Sequence, residues 1–244
     1  MTDRQKAPTP PASAPASPAP VVAPASEVPF TWEDLTRYKQ AKRLLDGYPS
    51  DIRTFFSPTD EVHQVLKALL ATAQHSIVLN MYGYDDAELD DIIRAKLASD
   101  HMYVQMSLDS TQAAGVHERE LLKEWAHESF GNSIAIGHST RGAISHMKIV
   151  IIDGVYTIRG STNWSLAGEQ KQDNELTIHR NAVVAAETRA QLDRNHDAML
   201  KQMAEARATG RKVGGAGTGT GKRRVASSPR PGARAASAAK RGAS

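Results

Sequence analysis

The sequence contains no cysteine. That absence removes a disulfide framework, a thiol nucleophile and every zinc site built on thiolate ligands, while leaving the redox compartment open. Long apolar runs are missing too: no stretch approaches the roughly 20 residues a membrane-spanning helix needs. The opening MTDRQKAPTPPASAPASPAP has charges near the N-terminus but no continuous apolar core behind them. It is a poor secretory signal, so the expected location is cytoplasmic and no stable membrane insertion is expected. There is no internal repeat, and that absence bears on the active site below.

What is present is unevenly distributed. The net charge of +3 conceals three regimes. Residues 1–30 are Pro-, Ala- and Ser-rich, with Arg4 and Lys6 balancing Asp3 and Glu27. Residues 31–200 carry 17 basic and 24 acidic side chains, and residues 201–244 carry eleven Lys and Arg against Glu205 alone. This reads as an acidic body with a basic arm for a polyanionic partner. The low-complexity ends cannot bury enough apolar surface to offset ordering a backbone. The expected organisation is a flexible segment over 1–30, one folded domain over 31–207 and a basic disordered tail over 208–244.

Within the body, helical and strand periods alternate. Thr31 to Leu45 reads as a helix capped by Thr31 and ended by Gly47. Strands are expected at 52–56, 76–82, 102–108, 133–136, 146–152, 155–158 and 174–179. Helices are expected at 59–74, 87–98, 116–128 and 182–206. Asp153-Gly154 between two apolar runs is a strong hairpin signal. Strands interleaved with helices argue for an α/β sandwich, a mixed sheet flanked by helices with flexible tails at both ends.

The segment HMKIVIIDGVYTIRGSTNWSLAGEQKQDNEL, from His146 to Leu176, carries the chemistry. Side chains alternate along a strand, so His146 and Lys148 emerge on one side while Ile149 and Ile151 point the other way. The Asp-Gly turn brings Gly160, Ser161 and Asn163 back to the level of His146. An imidazole, an ammonium, a hydroxyl and a carboxamide then converge. Only the imidazole is a nucleophile that also titrates near neutral pH. The other three are donors suited to the oxygens of a phosphate under attack. Glu175 on the following strand is placed to hold the second imidazole nitrogen.

The spacing His146-x-Lys148-x4-Asp153-x6-Gly160-Ser161-x-Asn163 resembles the complete signature of the phospholipase D superfamily. Asn163-Trp164-Ser165 followed by Asn174-Glu175 is similar to the continuation in its small bacterial endonucleases. FFSPTDEVHQVLKALLATAQHSIVLNMYGYDD and the strand ending in Leu108-Asp109 resemble the first half of their domain. The resemblance implies a two-step displacement without a metal or other cofactor. One histidine attacks phosphorus, a second from another copy of the motif protonates the leaving oxygen, and water releases the product. It assigns His146 as nucleophile or acid, Lys148 and Asn163 to the phosphate, Ser161 as an assistant and Glu175 as the orienting carboxylate. Asp153, at a tight turn, is given a structural role through local hydrogen bonds, and Gly160 is structural. One motif supplies half a site, so a homodimer is implied.

The substrate is read as nucleic acid, DNA and in second place RNA, because Arg and Lys scattered through Gly, Ala and Ser contact phosphates without reading bases. A membrane role for the tail would bring aromatic or Leu anchors, which are missing. Two alternatives stay open: a lipase acting on phosphatidyl groups including cardiolipin, and a non-catalytic nucleic-acid-binding protein. Arg141 is a further candidate phosphate contact, and Trp164 reads as core. Asp85, Asp86, Glu88, Asp90 and Asp91 read as an acidic first turn and solvated face of a helix. Histidines 63, 75, 101, 117, 127, 138, 179 and 196 lie at no metal-ligand spacing and read as ordinary.

Overall fold

A computed structural model describes residues 30–111 and 133–210. The expected helix at 116–128 and both terminal segments lie outside the described residues. Seven strands form one mixed sheet: β1 (Ile52–Ser57), β2 (Ser76–Met81), β3 (Tyr103–Asp109), β4 (Ile134–Gly137), β5 (Lys148–Ile152), β6 (Tyr156–Gly160) and β7 (Asn174–Arg180). Their spatial order is β1-β7-β6-β5-β2-β3-β4. β2, β3 and β4 run parallel, and every other neighbouring pair is antiparallel.

The helices are α1 (Val62–Thr72), α2 (Ala87–Leu97), the short α3 (Leu166–Gln170) and α4 (Ala182–Thr209). The stripe Val62, Val65, Leu66, Leu69 and Leu70 buries α1 against Ile77, Leu79, Val150, Ile152 and Ile178 in the main core. On the opposite face Ala185 and Leu192 of α4 meet Val78 and Ile151. Alternation along β2 and β5 thus feeds two apolar layers, one on each side of the sheet. α4 is 28 residues long, about 42 Å of helix. Asn181 caps its first turn by accepting from Val183 N and Val184 N, and Gly210 ends it at φ 65°.

The β5–β6 hairpin turns at Asp153 (φ 50°) and Gly154 (φ 65°), the paired positive φ values that a tight primed turn demands. The Asp153 carboxylate accepts from the backbone N–H groups of Gln74 (2.9 Å), His75 (2.8 Å) and Ser76 (2.8 Å). These are long-range bonds, in place of the local ones expected. They dock the hairpin turn onto the entry to β2.

The expected helix over 31–45 is corrected. Only Glu33–Tyr38 is helical, as a 3-10 turn, and the chain leaves it through an extended Lys39 and a positive φ at Lys42. Beyond Leu35 the segment has too few apolar side chains to bury: Leu45 is 73% exposed. Lys39 from this segment, with Tyr48 and Asp60 beyond it, serves the outermost strand instead. Tyr48 Oη accepts from Thr54 N (3.0 Å), Asp60 Oδ2 accepts from Phe56 N (3.0 Å) and Lys39 Nζ donates to Thr54 O (2.6 Å).

Candidate active site

Three short links hold the approach to β5. Asp109, fully buried at the end of β3, accepts from Ser145 N at 2.5 Å. Ser145 Oγ donates to Asn80 Oδ1 (3.1 Å), and Tyr82 N donates to Met147 O (2.9 Å). His146 therefore precedes the first paired residue of β5 yet is fixed on both sides. Its ring is exposed and lies edge-on to Tyr82, with centroids 4.5 Å apart.

Lys148 folds back toward that ring. Its Nζ stands 3.1 Å from His146 Nε2 and 4.9 Å from the centre of the Tyr82 ring. At that distance the Lys148 ammonium can donate to Nε2 when this nitrogen carries the ring's lone pair. Lys148 is 6% exposed, and that burial holds its ammonium below the usual lysine range.

His146 and Lys148 border a cavity of about 440 Å³ together with Arg159, Gly160, Glu175 and His179. Gly160 is required there by space: a Cβ would stand 2.0 Å from Glu175 O. Glu175 shares the cavity but does not hold the His146 ring within one chain; its carboxylate accepts from Thr177 Oγ1 at 2.5 Å.

The expected convergence of hydroxyl and carboxamide is not what the structure places. Ser161 Oγ donates to Asn174 Oδ1 (2.9 Å) and accepts from Glu175 N (3.0 Å), tying the end of β6 to β7. The Asn163 side chain packs on Gly83, where an added Cβ would lie 2.9 Å from its Cγ. Its Oδ1 is buried without a partner. Ser161 is thus spent on β7 and Asn163 is packed against Gly83, and neither borders the cavity. Trp164 is buried against Tyr84, and Arg141 is exposed on its loop.

Two cavity residues escaped the sequence reading. Arg159 Nη2 lies 3.1 Å from Nε2 of His179, whose basicity is lowered by burial and by the Arg159 charge. The signal was register: Arg159 pairs with Ile149 and with Thr177, which sets these three in one cross-strand row on the Ile149 face of the sheet, where it meets the cavity.

The acidic stretch is also only partly a solvated face. Asp86 caps α2 by accepting from Leu89 N (2.9 Å). Asp90, 3% exposed, accepts from Tyr84 Oη (2.8 Å) and Arg94 Nε (2.7 Å). His63 meets Glu169 across 106 positions of sequence. No described helix is long and apolar enough to cross a membrane.

No curated protein matches the chain. Among solved structures it is similar to a phospholipase D family member, Nuc from Salmonella typhimurium. The two share 18% identity, the match covers 60% of this chain and 94% of that one, and the TM-score is 0.51. NucT from Helicobacter pylori gives 15% identity, 60% and 96% coverage and a TM-score of 0.49. Phosphatidylserine synthase from Haemophilus influenzae Rd KW20 gives 12%, 67% and 47%, and 0.49. At such identities the first of these speaks to the fold alone. The family model described as "Cardiolipin synthase, PLD-like domain" matches residues 66–196, more than half of the 244, and takes in both the β5–β6 hairpin and the loop after it. The fold and that match agree, and the chain belongs to the phospholipase D superfamily, as a carrier of its PLD-like domain.

Proposed function

We propose that this protein is a phosphodiesterase of the single-motif endonuclease branch, cutting nucleic acid with little sequence preference. The observation that carries the reading is the 3.1 Å contact between His146 Nε2 and Lys148 Nζ at the wall of an open cavity that Arg159 and Glu175 also border. Nε2 attacks phosphorus, the bond to the leaving oxygen breaks, and Lys148 faces the charge that grows on the non-bridging oxygens. The partner's His146 gives its proton to the leaving oxygen. Water then attacks the phosphohistidine and frees the second product. The chemistry at His146 uses no metal. Glu175 lines the cavity and orients a histidine when two copies face each other. Residues 31–207 are the catalytic domain, and the tail over 208–244 holds nucleic acid by its phosphates.

The test is incubation of wild type and His146→Ala with labelled duplex DNA, single strands, RNA and cardiolipin-containing vesicles, all in EDTA. Cleavage of DNA or RNA by wild type alone supports the reading, and activity per chain should fall on dilution as subunits separate. Turnover of the vesicles alone assigns the site to a lipid phosphodiester. Binding without turnover of any substrate makes the protein a nucleic-acid binder.

A further inference from the structure

Away from His146, three elements bring one donor atom each to a single buried point. His63 comes from the first turn of α1, Asp86 from the cap of α2 and Glu169 from α3, and their ligand atoms all lie within 4.8 Å of one another. We propose that His63, Asp86 and Glu169 form a binding site for a divalent cation of the Zn²⁺ type, which clamps α3, and with it the loop bearing Asn163, to α1 and α2.

The donor set is a borderline one, an imidazole nitrogen and two carboxylate oxygens, with His63 Nδ1 at its centre. Zinc bonds of about 2.0–2.2 Å in tetrahedral array set neighbouring ligand atoms roughly 3.3–3.5 Å apart. His63 Nδ1 and Asp86 Oδ2 already stand at 3.4 Å. His63 Nδ1 and Glu169 Oε2 are closer, at 2.5 Å, because a proton joins them. That proton leaves when an ion takes its place, and this edge opens to match the other.

Each ligand is oriented as a metal site requires. Asp86 uses Oδ1 to cap α2, which leaves Oδ2 for the cluster. His63 turns its other nitrogen, Nε2, toward Glu88 Oε2 at 3.5 Å, and Glu88 is itself paired with Lys67. A carboxylate behind the second imidazole nitrogen is the usual outer partner of a ligating histidine.

An independent observation points to a missing partner. Glu169 is 1% exposed, and its Oε1 is buried with no hydrogen-bond partner. Leaving a buried carboxylate oxygen unsatisfied is costly, and an ion in the cluster removes that cost. Beside it a cavity of about 320 Å³, bordered by His63, Glu169, Asp60 and Glu61, gives an entry path and room for a water as fourth ligand. Two buried carboxylates against one imidazole also leave the point negative. No spacing in sequence announces this site, because its members are separated by 23 and 83 positions.

The site is tested on the full chain carrying His146→Ala, which removes the cleft imidazole as a competing ligand. The protein is stripped with EDTA, moved to chelator-free buffer and titrated with ZnCl2 by calorimetry, with MgCl2 and CaCl2 as comparisons. One Zn²⁺ per chain is expected, with weaker Mg²⁺ and Ca²⁺. The melting midpoint should rise by roughly 5–10 °C at about a hundredfold excess over Kd. Glu169→Gln keeps the shape of the side chain, and Asp86→Asn keeps the cap of α2. Each should fold and lose Zn²⁺ affinity at least tenfold. Wild-type ligands that bind no Zn²⁺ would mean that the three residues are only a buried ion pair and overturn the proposal. Unchanged affinity in both variants would place the ion elsewhere and overturn it equally.

Discussion

Asp153 and Ser76 are joined by a 2.8 Å hydrogen bond from the backbone N–H of Ser76 to Oδ1 of Asp153, across 77 positions. With its companions at Gln74 and His75, this bond fixes where the β5–β6 hairpin sits against β2. The acidic member of the motif therefore works at the far end of the strand from His146. Asp153→Ala removes three charge-assisted bonds and strains a positive φ, for an expected loss of about 2–4 kcal/mol in urea denaturation. Asp153→Asn, which tolerates that φ, should lose less. Turnover by the molecules that remain folded should be unchanged in both. A specific loss of turnover at full stability would make Asp153 a participant in the chemistry.

His146 is exposed, so His146→Ala should leave the melting midpoint within about a degree while reducing turnover at least a thousandfold. Lys148→Met keeps the buried stem and removes the charge. It should reduce turnover roughly a hundredfold or more without loss of stability, since burial already disfavours that ammonium. Retained turnover in His146→Ala would remove it from the covalent role.

Stability should depend on pH through the His63–Glu169 pair when no metal is bound. Burial raises the Glu169 carboxyl to about 7, with Asp86 adding to the rise and His63 opposing it. Burial lowers the His63 imidazole, but Glu169, Asp86 and Glu88 outweigh it and leave it raised. Both groups then bind protons more tightly folded than unfolded. The stability they contribute is full below about pH 4.5 and is lost as pH climbs through 7 and beyond. In EDTA the urea midpoint should fall across that window, and Glu169→Gln should flatten the fall. An equal slope in the variant would assign the dependence to other groups.

Removing residues 208–244 deletes nine basic side chains from the chain. On duplex DNA the slope of log affinity against log salt falls by about 0.9 for each phosphate the protein ceases to neutralise, and a change of about three to six in slope is expected. Cleavage at saturating substrate should barely change while KM at moderate salt rises. If KM and slope are both unaltered, the tail is not a nucleic-acid arm.

The strands and the three long helices were legible because their apolar residues recur with the right periods, as in Val62, Val65, Leu66, Leu69 and Leu70. Asp153-Gly154 announced its own turn. The segment after Leu35 misled because cap-like residues were read without asking what the helix would bury. His146 and Lys148 were legible as a pair, two positions apart at a strand end. Ser161 and Asn163 were not, since backbone groups of β7 and the close approach of Gly83 decide where they point. The meeting of His63 with Glu169 depends wholly on the packing of α1 against α3 and leaves no local trace.

The side chains of Lys39, Tyr48 and Asp60 that engage Thr54 and Phe56 have one more effect. A strand at the rim of a sheet offers bare N–H and C=O groups on which any other extended chain can polymerise. Here those groups are already taken, and Lys39 adds a charge in the path of an incoming strand. Addition of a further strand at Thr54 and Phe56 is thereby disfavoured, and that rim of the sheet is guarded against growth by aggregation.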